Sequence, residues 1–153
     1  MPLACASEED LDSSFVENHG VQVDGSGRKV LIVDDLPQNR DWVSDLLAGY
    51  EFEVQTAASA EQALEQLECE SFDLLISDMR MPGMDGWELL SHVRVRWPAL
   101  PVLLYSAVPA LRPMDMPGSL RFDDTLLKPA SSRDLLARVD NLSRIASAPQ
   151  EAM

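Results

Sequence analysis

Between Phe72 and Gly86 the chain reads FDLLISDMRMPGMDG. The apolar run Leu74-Leu75-Ile76 stops at Ser77-Asp78, and a loop carrying Pro82, Gly83 and Gly86 follows before an amphipathic segment opens at Trp87. A short apolar run bounded by turn residues suits a strand buried on both faces. Asp78 then stands where such a strand opens to solvent. In open parallel sheets ligands bind at that edge, outside the carboxyl ends of the strands. The reading of the chain therefore turns on which residues meet Asp78 there.

On either side, strand and helix alternate. Lys29 to Val33 is an apolar, β-branched run that stops at Asp34-Asp35. Leu36-Pro37 turns the chain, and Trp42, Val43, Leu46, Leu47 and Tyr50 recur at helical spacing, with Gly49 offering an end. Glu53 to Ala57 is a short second strand, and Ser59 with Gln62 makes a capping box for a helix that buries Ala60, Ala63, Leu64 and Leu67. Phe72 to Ser77 is the third strand. Trp87, Leu89, Leu90 and Val93 mark the next helix, which ends before Pro98. Pro101 to Tyr105 is the fourth strand and stops at Ser106-Ala107. Thr125 to Leu127 is a short fifth strand running into Lys128-Pro129, and Ser131 with Asp134 caps a last helix with Leu135, Leu136, Val139 and Leu142 on one face. Strands each followed by a crossover predict an α/β fold, a doubly wound five-stranded parallel sheet with helices on both sides. The order 2-1-3-4-5 is preferred because it sets the first and third strands side by side.

Composition narrows the class. A chain of 153 residues accommodates one core plus tails. A net charge of −14 with no segregated basic patch argues against direct nucleic-acid binding. Residues 1–28 interleave Glu8, Glu9, Asp10, Asp12, Glu17 and Asp24 with serines and close on Gly25-Ser26-Gly27, the composition of a disordered acidic tail with a flexible linker. Leu11, Phe15 and Val16 could form only a marginal helix there. The opening MPLACAS lacks the basic residues of a secretory signal, and no run approaches the roughly 18 apolar residues of a membrane span. Cys5 and Cys69 have no spaced Cys or His partner and read as free thiols of a reducing, cytoplasmic compartment.

In the preferred order, strand ends bring Asp34, Asp35, Asp78, Ser106 and Lys128 to one edge. Singly, each has an ordinary reading as a helix cap or turn residue; five together at four strand ends point to a site. Carboxylates a few ångströms apart repel by about 4 kcal/mol per close pair at an effective dielectric near 20, so they need a cation. Hard oxygen ligands with room for water favour magnesium. Asp78 can then attack a phosphoryl group and form an acyl phosphate, with Lys128 pairing its oxygens and the Ser106 hydroxyl donating to another.

These residues resemble the receiver domain of two-component response regulators over about residues 29–146, leaving 147–153 as a tail. The motifs are VDD at Val33 to Asp35, DMRMPGMDG at Asp78 to Gly86, SA at Ser106-Ala107 and KP at Lys128-Pro129. The resemblance implies a flavodoxin-like receiver fold, and a regulatory phosphoacceptor rather than a conventional enzyme. It implies Asp78 as phosphoacceptor, a sensor histidine kinase or phosphotransfer protein as donor, and Mg2+ as cofactor. Asp35, Asp78 and the backbone carbonyl of Arg80 would hold the metal, Asp34 acting mainly through water; Ser106 and Lys128 would read the phosphoryl group.

Two departures stand out. Three residues before Lys128 the family usually has Tyr or Phe, part of its switch, and this chain has Thr125. Where the family has its fourth helix, Pro113 and Pro117 would each cost about 3 kcal/mol or more, so an irregular, loosely held segment is expected from Val108 to Gly118 and on to Asp124. With no output module visible, a single-domain relay or the receiver part of a hybrid kinase is the favoured role. The alternatives are a phosphorylation-independent interaction adaptor, a small flavodoxin-like binding protein, and a phosphohydrolase. The last lacks an acid shortly after the nucleophile, where Met79 and Arg80 stand and Asp85 is too distant.

Overall fold

The computed structural model of the protein describes residues 23–147. The expected disorder of the first residues, the marginal helix around Leu11 and Phe15, Cys5 and the tail after Ser147 lie outside the described residues. The order of elements is β1 (Lys29–Val33), α1 (Pro37–Ala48), β2 (Glu53–Ala57), α2 (Ala60–Cys69), β3 (Leu74–Ser77), α3 (Gly86–Arg96), β4 (Val102–Ser106), β5 (Asp124–Leu127) and α4 (Ser132–Ser147). All neighbouring strands pair in parallel, in the order β2-β1-β3-β4-β5. The expected topology is therefore the observed one. β3 starts at Leu74 rather than Phe72, because Asp73 is occupied bridging to β1: its amide donates to the Lys29 carbonyl (2.8 Å) and its carboxylate accepts from the Lys29 amide (2.8 Å).

Side-chain alternation along the strands divides the core in two. Leu31, Val33, Leu75, Val102 and Leu104 face α2 and α3 and pack with Ala63, Leu67, Leu90 and Val93. Val30, Ile32, Leu74, Ile76, Leu103 and Tyr105 face α1 and α4 and pack with Val43, Leu47, Leu135 and Val139. Both N-caps form, the Ser59 hydroxyl accepting from the Gln62 amide (3.2 Å) and the Ser131 hydroxyl from the Asp134 amide (3.0 Å), but the Gln62 side chain accepts from the Ala58 amide (2.9 Å) where a full capping box would use that of Ser59.

The packed chain begins earlier than the expected boundary at residue 28. Val23 lies against the α1 and α4 core, and the Gly25 amide donates to the Tyr50 carbonyl (2.7 Å). Gly25 is a packing glycine, since a Cβ there would sit 2.3 Å from the Phe52 ring. Arg28 is buried, stacks over Phe52, and donates to Asp140 and Ser143 of α4 (2.9 Å each). An arginine beside three glycine-rich linker positions gives no sequence sign of a partner more than a hundred residues away.

Between β4 and β5 no helix forms among the described residues, as the prolines dictate. The segment is not loosely held throughout, however. The Trp87 indole N–H donates to the Leu111 carbonyl (3.0 Å), and Arg112 lies over the Trp87 ring while donating to the carbonyls of Pro117 and Leu120. Leu120 and Phe122 are buried, Phe122 against Trp87. Leu111 and Met114 are its large apolar residues that project into solvent.

Candidate functional site

Asp78 follows the last residue of β3, and its amide still continues the ladder by donating to the Val33 carbonyl (3.0 Å). Its carboxylate is bent back so that Oδ1 accepts from the Met79 amide (2.8 Å), and the Ser77 hydroxyl donates to its backbone carbonyl (2.7 Å). The next turn passes so close that a Cβ on Gly86 would stand 2.8 Å from that carbonyl and 3.1 Å from the Met79 Cα. Gly86 thus has a steric role, closing the loop onto the strand end, beyond the turn preference legible in its sequence context.

The two acids after β1 arrive by the same ladder logic, the Asp34 amide donating to the Ala57 carbonyl (3.2 Å). Asp34 is buried, its Oδ1 accepting from the Leu36 amide (3.0 Å) and its backbone carbonyl from Arg40 of α1 (2.6 Å). Asp35 is half-buried, and Asp34, Asp35 and Asp78 each offer an oxygen within 4.8 Å of the others. Lys128 enters from the end of β5, where its amide donates to the Ser106 carbonyl (2.8 Å). Its Nζ bonds Asp34 Oδ2 at 2.7 Å and stands 3.7 Å from Asp78 Oδ2. Ser106 is buried at the end of β4, and its Oγ accepts from the Val108 amide (3.3 Å). The Arg80 side chain is exposed and lines a depression with Asp35, Pro82 and Asp85.

All six sequence-selected residues therefore stand at one sheet edge. Two contributors were missed. Arg40 carried no signal beyond a basic residue in the first turns of a helix. Tyr105, whose ring lies under the Lys128 ammonium at 5.4 Å, has in the sequence only the signature of a strand residue.

Burial pushes the Asp78 carboxyl above the ordinary carboxylate range, and the neighbouring Asp34 pushes the same way. The Lys128 ammonium, the Met79 amide and the Ser106 hydroxyl offset part of that rise. Three carboxylates against one ammonium leave the cluster with an excess of negative charge, and its donors are all oxygen. It is an acidic cluster of the kind that suits a hard divalent cation retaining water.

This fold and acidic edge define a class, the receiver-type phosphoacceptor domain. The family model of the response regulator receiver domain matches residues 30–140. The response regulator protein FleR of Pseudomonas aeruginosa is 46% identical over 110 residues, covering 71% of this chain and 23% of FleR. The chain thus spans about a quarter of the length of that relative. The receiver domain protein (CheY-like) of Methanospirillum hungatei superposes with a TM-score of 0.73 at 28% identity, covering 78% of this chain and 96% of that one. The response regulator protein TrrA of Thermotoga maritima, solved in complex with Mg2+ and BeF, gives a TM-score of 0.68 at 29% identity over 75% of this chain and 98% of that one. The chain belongs to the response regulator receiver domain family. It is accordingly a regulatory domain of two-component signalling rather than a classical enzyme.

Proposed function

We propose that the protein takes a phosphoryl group onto Asp78 from the phosphohistidine of a sensor histidine kinase or phosphotransfer protein, in the cytoplasm. It would act as a relay or as the receiver part of a longer signalling protein. The observation that carries this is the buried Asp78 carboxylate at the centre of the sheet edge, beside Asp34, Asp35 and Lys128.

Asp78 Oδ1 is engaged by the Met79 amide, leaving Oδ2 as the attacking atom. Its bond to phosphorus forms as the phosphorus–nitrogen bond of the donor breaks, and the leaving imidazole takes up a proton. Lys128, 3.7 Å from Oδ2, needs a small shift to pair with an incoming phosphoryl oxygen. Ser106 would turn its hydroxyl proton toward another. Asp35, Asp78 and the Arg80 carbonyl would hold Mg2+ directly, which when bound supplies neutralising charge for the transferred group. Asp34 is already committed to Lys128 and the Leu36 amide, in keeping with an indirect part in metal binding.

The test is incubation of the full chain with Mg2+ and a small acyl phosphate, followed by intact-mass measurement. A phosphate-sized gain is expected in the parent and none in Asp78→Asn, and Asp35→Asn should weaken Mg2+ binding. Labelling of Asp78→Asn at the parent rate would sink the assignment.

A further inference from the structure

We propose that Tyr105 is a positioning residue for Lys128, its ring face holding the ammonium toward the carboxylate pair; this rests on the phosphoacceptor reading of Asp78. Tyr105 and Lys128 are brought together by register. Tyr105 pairs with Leu126 and Ser106 with Leu127, and the Lys128 amide then closes onto the Ser106 carbonyl. That geometry returns the lysine side chain over the end of β4. Its Nζ lies over the Tyr105 ring, 5.4 Å from the centroid, within reach of a cation–π attraction. The remaining sides of the ammonium are taken by Asp34 at 2.7 Å and Asp78 at 3.7 Å.

A lysine carries a flexible four-carbon stem with large rotamer freedom. Two carboxylates alone would leave the ammonium free to swing outward to solvent. The ring closes that side, and Tyr105 can do so because it is itself fixed, only 7% exposed and packed in the core between α1 and α4. Among the described residues the hydroxyl has no hydrogen-bond partner, so the ring face rather than the phenol proton is the useful part. Thr125, on neighbouring β5, supplies no aromatic surface. The single aromatic face at Lys128 among the described residues therefore comes from β4.

The residue acts on phosphoryl transfer through pre-organisation: an ammonium held near Oδ2 loses less freedom when it pairs with the incoming group. The expected effect of removing the ring face is a fall in the phosphorylation rate of about two- to fivefold, the factor that corresponds to a partly exposed cation–π contact.

The experiment compares the full chain carrying Tyr, Phe, monofluorinated Phe, trifluorinated Phe or Leu at position 105. Labelling by a small acyl phosphate with Mg2+ is followed by intact mass, and the Lys128 side-chain resonances by NMR. Fluorination weakens the ring quadrupole while nearly preserving its size, so a packing role would not respond to it. Phosphorylation rate should be retained in Tyr105→Phe, fall stepwise with fluorination and be lowest in Tyr105→Leu, while ring-current shifts of the Lys128 terminal methylene vanish only in Leu. Normal labelling of the parent with a flat series, or a Tyr105→Phe variant as slow as Tyr105→Leu, overturns the positioning role alone. Failure of the parent to label at all overturns the phosphoacceptor reading, and this inference with it.

Discussion

Asp78 sits in an environment that favours its neutral form, and that conflict is measurable. A folded-state pKa raised above the unfolded value means that the native protein binds this proton more tightly than the unfolded chain does. Stability contributed by the group is therefore present below the ordinary carboxylate range and is lost as pH rises toward the raised folded value. Above that value the ionised Asp78 is a burden on the fold. Asp78→Asn should be more stable than the parent at pH 7 by about 1 kcal/mol, or about 4 °C in Tm, mainly because it removes the cost of burying an ionised carboxylate, and in lesser part the repulsion from Asp34, beyond what Lys128 offsets. Thermal melts followed by circular dichroism should show this gap closing on acidification; a gap that widens would contradict the account. Lys128→Gln runs the other way, since it strands two buried carboxylates, and should cost about 2 kcal/mol at neutral pH, with a smaller cost in an Asp78→Asn background, where only Asp34 is left stranded. Hydrolysis of the phosphorylated form belongs to this scale too. Val108 is half-buried and apolar and Arg80 cannot act as a base, so decay should be slow, and Val108→Glu should hasten it. Mass-spectrometric decay curves in which the parent loses phosphate as fast as the variant would refute this.

At the scale of elements, the segment between β4 and β5 is where the chain parts from its family. Its base is fixed by the Trp87 and Arg112 contacts and by buried Leu120 and Phe122, and its start is tied to the site through the Val108 amide on Ser106 Oγ. A phosphoryl group that draws on the Ser106 hydroxyl must disturb that amide contact, so the response should begin at Val108 and fade before Leu120. Hydrogen exchange with and without a phosphoryl mimic should report altered protection in Val108–Met116 and little change at Leu120–Phe122; uniform change across the segment would argue for release of the whole loop. The β3–α3 turn answers to a different constraint. Gly86→Ala must push the Cβ off the Asp78 carbonyl, costing about 2 kcal/mol and displacing the phosphoacceptor, so labelling should slow along with the fall in Tm.

For the whole molecule, phosphorylation adds nearly two charges to a chain already at −14. The charges that ride on β5 and α4 are already paired internally, Arg138 with both Asp124 and Asp134. Exposed Leu127 and Ile145 are isolated apolar points on those elements, and among the described residues no helix lies between β4 and β5 to widen that face. Dimerisation through β5 and α4 should accordingly be weak in either state. Sedimentation at micromolar concentration should find a monomer with and without a phosphoryl mimic, and a tight dimer dependent on the mimic would count against it.

The amino-acid sequence by itself determined the sheet, its order and the gathering of Asp34, Asp35, Asp78, Ser106 and Lys128 at one edge. Apolar runs that end in acids or a hydroxyl place those residues at strand ends, and one topology makes strand ends converge. It also determined the absence of a helix after β4, because proline excludes one locally. What only the tertiary structure decided involves partners distant in sequence. Arg28 became a core residue because Asp140 and Ser143 meet it, and Gly25 because Phe52 leaves no room for a Cβ. Lys128 rests on Asp34 rather than Asp78, and over Tyr105, because strand register carries it there. Periodicity specifies which face a side chain takes; it does not specify which side chain from another element arrives opposite it, and that pairing sets the charge balance at Asp78.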